Sequence, residues 1–160
     1  MGLGFELSEI IGGRWHWLDG AYADFAIRIA LRFDVDGLTR FVRERRIDAR
    51  GTIVAEGLAE GGGGGREISG SVAWRLLDQR RIPYDLFFFG DDGRRYRLRG
   101  QRDFVAYDAT GSLHVLPASI YDDNDREIAR AKLRFEGKSE LTSLLKTFRP
   151  RVRVPALSRG

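Results

Sequence analysis

The chain has 160 residues, no cysteine, a 42% hydrophobic and 31% charged composition, and a formal charge of +4. That length suits one domain that buries a core without staples, and the missing cysteine excludes disulfides, zinc–thiolate sites and thiol nucleophiles. No apolar run approaches the ~20 residues of a bilayer-spanning helix. The opening MGLGFELSEIIGG also lacks the basic and long apolar regions of a signal peptide, so a cytoplasmic location is expected. Lysine occurs only at Lys132, Lys138 and Lys146, and the 23 acidic residues are interspersed with the 27 basic ones. A nucleic-acid surface would segregate them, so no nucleic-acid partner is expected. The tail RPRVRVPALSRG (149–160) is basic and expected to be loosely held. Residues 1–150 thus form the domain and 151–160 its tail.

In chain order, the aromatic segment RWHWLDGAY (14–22) comes first. Trp15, Trp17 and Tyr22 suit either a rim on which a ligand stacks or a plug for one end of a barrel. FAIRIALRF then alternates strictly, with Phe25, Ile27, Ile29, Leu31 and Phe33 on one face and Arg28 and Arg32 on the other, which predicts a half-buried strand. DVDGLTRFVRERR (34–46) changes period: Leu38, Phe41 and Val42 fall at helical spacing behind the N-cap candidate Asp36. Strands follow at 49–60 and 66–78, where Ile68, Gly70, Val72, Trp74 and Leu76 alternate. Gly61 to Gly65 lie between these two strands. A phosphate-cradling loop needs a helix after it, so the glycine run is predicted to be a hairpin loop.

YDLFFF (84–89) and RRYRLRGQRDF (94–104) read as two strands joined by the turn GDDG (90–93). Tyr96, Leu98, Gly100 and Phe104 share one face, and Arg95, Arg97, Arg99 and Asp103 the other, expected to be solvated. A further hairpin is predicted from SLHVLPASIYDD (112–123) and REIARAKLRFE (126–136). SELTSLLKTF (139–148) has Leu141, Leu144, Leu145 and Phe148 at helical spacing before Pro150. The expected fold is therefore all-β and mainly antiparallel: a barrel or strongly curved sheet of about eight strands with two short helices.

Chemistry is harder to place. His16 and His114 are the only histidines, and neither lies in a GxSxG or HExxH motif. The carboxylate pairs at Asp91–Asp92 and Asp122–Asp123 fall in turns, where aspartate binds its own backbone. DDNDREI lacks the glycine and closing glutamate of a calcium loop. No catalytic residue, metal or cofactor is expected. Small inward residues at Gly51, Ala55, Gly57, Gly70, Ala129 and Ala131, mixed with large aromatics, suit an interior that holds an apolar ligand, or a packed core with glycine at bends. The candidate lining is Phe25, Ile27, Ile29, Trp74, Phe87, Tyr96, Leu98 and Phe135, with Trp15, Trp17 and Tyr22 at one mouth.

From Phe25 to Phe148 the chain resembles the accessory domain of bacterial cholesterol-oxidase-like GMC flavin oxidoreductases, in a stand-alone, lipocalin-like form. The resemblance runs through FAIRIALRFDVDGLTRFV, ARGTI, YDLFFFGDDGRRYRLRGQR and IARAKLRFEGKSELTSLLKTF. Pro83-Tyr84 departs from the family's arginine–tyrosine pair, and the flavin-binding GxGxxG part is absent. The resemblance implies no catalytic residues and no oxidoreductase chemistry by this chain itself. It implies a non-catalytic module that binds a sterol-like or acyl molecule, or that partners a flavin oxidoreductase acting on one. Two alternatives stand beside it. One is a small barrel cyclase or isomerase with Tyr107, His114 or Tyr121 pointing inward. The other is a protein-interaction module meeting an acidic partner through Arg95, Arg97 and Arg99.

Overall fold

A computed structural model describes residues 5–19, 23–35, 46–73, 81–103 and 115–136. Eight strands run in chain order: β1 (Phe5–Trp17), β2 (Phe25–Val35), β3 (Arg46–Ala55), β4 (Arg66–Ala73), β5 (Arg81–Phe89), β6 (Arg95–Asp103), β7 (Val115–Tyr121) and β8 (Glu127–Phe135). Each pairs antiparallel with the next, and β1 pairs with β8 to close an up-and-down barrel. Of the helix predicted over 34–46, residues 34–35 belong to β2 and Arg46 to β3, while its remainder and the helix predicted over 139–148 lie outside the described residues.

Period-two alternation builds the wall. Ile27, Ile29, Leu31 and Phe33 of β2 turn inward and are at most 3% exposed, while Arg28 and Arg32 face out. Inward residues of all eight strands meet in one core. Among the outward residues are Arg14, Arg28, Arg50, Arg99 and Arg130, a charged wall unlike the apolar band of a lipid-facing barrel. No helix among the described residues is long and apolar enough to cross a membrane.

Closure depends on close approach between strands. A Cβ at Gly51 would run into the carbonyl oxygen of Ala30 on β2, and one at Gly70 into that of Asp85 on β5. These inward glycines let neighbouring strands coil tightly. The prolines are placed by the ladders. Pro83 lies one residue beyond the last β4–β5 pair, Val72↔Tyr84, and Pro117 one beyond the last β6–β7 pair, Gly100↔Ala118. Neither has to donate a ladder hydrogen bond on that side.

Three boundaries differ from expectation. The strand predicted over 49–60 stops at Ala55, because Leu58 and Ala59 fold back onto the barrel end; Ala55 and Ala59 exchange backbone hydrogen bonds. Gly57 is therefore in a turn with φ of +79°, not on the inner wall. The glycine run forms a short 3-10 turn, Gly61–Gly63, within the hairpin loop. The third difference is β1: alternation alone begins at Phe25 and misses the strand that closes the barrel.

Candidate functional site

The two ends of the barrel are built differently. At one end the chain reverses through 18–24, 56–65, 90–94 and 122–126. At the other, the segments 36–45, 74–80 and 104–114 connect the strands.

Aromatic side chains pack together toward the turn end, and aspartates tie its hairpins. Trp15 is fully buried, in a T-shaped contact with Trp17 at 4.8 Å and with Phe25 tilted at 5.0 Å between ring centroids. Phe88 stacks on Tyr96 at 5.6 Å. Of the rim or plug residues, Trp15 is buried, Trp17 is half-buried and Tyr22 lies outside the described residues. Asp91 accepts hydrogen bonds from the amides of Glu60 and Gly61 at 2.8 and 2.9 Å and from Arg66 Nε at 2.9 Å. It therefore joins two hairpin turns rather than serving only its own, and these bonds hold its carboxyl at about 2. Asp92 and Asp122 behave as expected of turn aspartates. Asp92 accepts from the Arg94 amide and the Tyr96 hydroxyl, and Asp122 from the amides of Asn124 and Arg126.

Nearer the other end, the interior holds a polar cluster. Glu9 of β1, Tyr84 of β5 and Arg102 of β6 all point inward and are 3%, 1% and 0% exposed. Arg102 Nη2 donates to Glu9 Oε1 at 3.2 Å, and the Tyr84 hydroxyl donates to Glu9 Oε2 at 3.1 Å. The Arg102 guanidinium lies on the Phe135 ring, 3.0 Å from its centroid. Burial, reinforced by the Glu9 charge and opposed by Arg102, pushes the Tyr84 hydroxyl well above its usual pKa, so it remains a donor. Carboxylate and guanidinium thus form an ion pair inside the barrel.

Outside this cluster runs a groove of about 960 Å³. Its floor includes Ala73, Pro83, Gly100, Pro117 and Ala118, where the β4–β5 and β6–β7 ladders end. Its edges carry His16, Arg46, Arg99, Arg130 and Lys132, and Tyr84 borders both the groove and the buried cluster.

The expected lining residues divide by face. Ile27, Ile29, Tyr96, Leu98 and Phe135 are buried in the interior, with Phe25 and Trp17 packed partly buried against it. Phe87 is a correction. The register places Phe88 inside and Phe87 on the outer wall, where the guanidinium carbons of Arg95 and Arg97 stand 4.1 and 5.2 Å from its ring centroid. On the Arg95–Arg97–Arg99 face, Arg95 and Arg99 are exposed as expected, while the half-buried Arg97 holds Asp85 through two bonds of 2.7 and 2.6 Å. Tyr121, one of the three residues the enzyme alternative offers, faces outward and half-buried beside the inward Ile120. Tyr22, Trp74, Phe104, Tyr107 and His114 lie outside the described residues.

Glu9 and Arg102 were not anticipated, yet a signal existed. Arg102 continues the inward series Tyr96, Leu98, Gly100, and Glu9 sits between the inward Leu7 and Ile11. Opposite charges at inward registers of two strands call for each other. No protein-family model and no curated protein matches the chain.

Proposed function

We propose that this chain is a non-catalytic binding barrel for a lipophilic small molecule of sterol-like or acyl type, acting alone or beside a flavin oxidoreductase that uses the molecule. The observation that carries the reading is the Glu9–Tyr84–Arg102 cluster. A buried ion pair is a poor means of stabilising a fold, because desolvating both charges offsets their attraction and apolar replacements are often as stable. A barrel whose only task was to pack would place leucine there. A dipolar cluster inside an apolar wall suits selection of a ligand with an apolar body and a polar group. Eight strands give the barrel diameter at which the interior can hold one small ligand.

The test is mass spectrometry of an organic extract from the purified, denatured protein, with thermal unfolding against added lipids. A stoichiometric lipophile, or a lipid that raises the melting temperature, supports the reading. A blank extract together with no shift from any lipid sinks it. The basic edge of the outer groove favours a second reading, a module that docks an acidic partner. In that case a co-purifying protein would dissociate on changing Arg46 and Arg99 to glutamate, while the extract stayed blank.

A further inference from the structure

Trp15 is fully buried, and its indole Nε1–H finds no hydrogen-bond acceptor among the described residues. A buried donor left unsatisfied costs about 1–3 kcal/mol, and buried polar atoms in native proteins nearly always find a partner. The neighbouring rings of Trp17 and Phe25 offer at most a weak π face. Phenylalanine would serve a purely structural plug equally well without an orphaned N–H. Elsewhere in the interior, the Arg102 charge is already met by Glu9 at 3.2 Å and the second Glu9 oxygen by Tyr84. A ligand anion would have to displace Glu9 from both.

We infer that Trp15 is a specificity-determining donor of the binding barrel, and that the ligand carries an uncharged oxygen acceptor (a ketone, ester, ether or hydroxyl) which takes the Trp15 indole N–H. This rests on the lipophile-binding reading and narrows it: hydrocarbons without an acceptor and free carboxylates are disfavoured.

The experiment uses the full-length chain and three probes of equal length: nonane, 2-nonanone and nonanoate at pH 8. Affinities are measured on the wild type and on Trp15→Phe. In parallel, the indole N–H signals of the three tryptophans are followed by nitrogen-15 NMR, with Trp15→Phe identifying the Trp15 signal. The substitution is expected to weaken 2-nonanone by about fivefold to tenfold, the worth of one hydrogen bond, and to leave nonane within about twofold. In the wild type, 2-nonanone moves the Trp15 N–H signal downfield and nonane does not. Equal losses for ketone and alkane, or a Trp15 signal unmoved by a bound ketone, overturn the inference while the lipophile reading stands. So does nonanoate as the tightest of the three. If no probe binds, the inference falls, and the lipophile reading is then decided separately by the organic extract and the lipid melting series. Should Trp15→Phe fold poorly, the wild-type comparison of ketone with alkane still decides the point.

Discussion

The two ends of the barrel use carboxylates in opposite ways. At the turn end Asp91 reaches from one hairpin to the amides of Glu60 and Gly61 and to Arg66 on another. It remains in contact with water, so the bonds form with little desolvation. Inside the barrel, Glu9 has left water, and both its oxygens are met by side chains from strands distant in sequence, Tyr84 and Arg102. The first arrangement tolerates loss of a partner because water replaces it. The second does not, because nothing in an apolar interior can. One end therefore holds turns together, while the other carries an internal tension that a packed core does not require.

The sharpest way to break that contrast is to remove half of the buried pair. Glu9→Ala leaves Arg102 charged without its carboxylate and is expected to destabilise the fold by about 3–5 kcal/mol in urea unfolding. The double change Glu9→Leu with Arg102→Met removes both charges and should stay within about 1 kcal/mol of the parent, or exceed its stability. A double variant as unstable as the single one would make the cluster structural and remove the basis for a ligand-selecting site.

Next in size are the inward glycines. Gly51→Ala places a methyl group against the Ala30 carbonyl, and separation of β2 from β3 is expected to cost about 1–3 kcal/mol. Unchanged stability, measured in the same denaturant series, would show that the wall yields more easily than its geometry implies.

The carboxylates bonded on the outside of the barrel should reveal themselves through pH. Asp91 is held at about 2 by its amide and arginine bonds, and Asp85 is held below its usual value by Arg97. Both carboxyls titrate lower in the folded chain than in the unfolded one. Their contribution is thus present above about pH 4 and lost as pH falls toward about 2, where the unfolded chain binds more protons. Asp91→Asn should flatten this acid limb and speed amide exchange at Glu60 and Gly61. An acid limb identical in the variant would assign the loss to other carboxylates.

The smallest effect belongs to the outer wall. Phe89 is 58% exposed, and Phe89→Ser should change stability by no more than about 0.5 kcal/mol. A larger loss would mean that a partner or further chain covers this face.

Much of the wall was legible before any coordinates. FAIRIALRF and EIARAKLRF alternate without interruption, since a half-buried strand must send every second residue to the core, and both became strands with the expected faces. GDDG became a turn because Gly93 adopts a φ of +77° and Asp92 binds the Arg94 amide locally. β1 stayed hidden because its inward face is interrupted by Glu9 and Gly13, while Ile10 faces out at 39% exposure. Phe87 departs from its expected face because three consecutive phenylalanines carry no period, and only pairing with β6 selects Phe88 for the interior. Arg102 carries little sequence signal, because an arginine in an arginine-rich strand reads as solvated until its register is known.

The sequence by itself determined the fold class, most of the strands and the chemistry of their turns. These depend on alternation and on local backbone bonds, which act within a few residues. Tertiary structure alone decided that β1 meets β8, that Asp91 ties one hairpin to another, and that Glu9 finds Tyr84 and Arg102 from 75 and 93 residues away. Burial of a charge is settled by what surrounds it in space, and a closed barrel draws those surroundings from every strand at once.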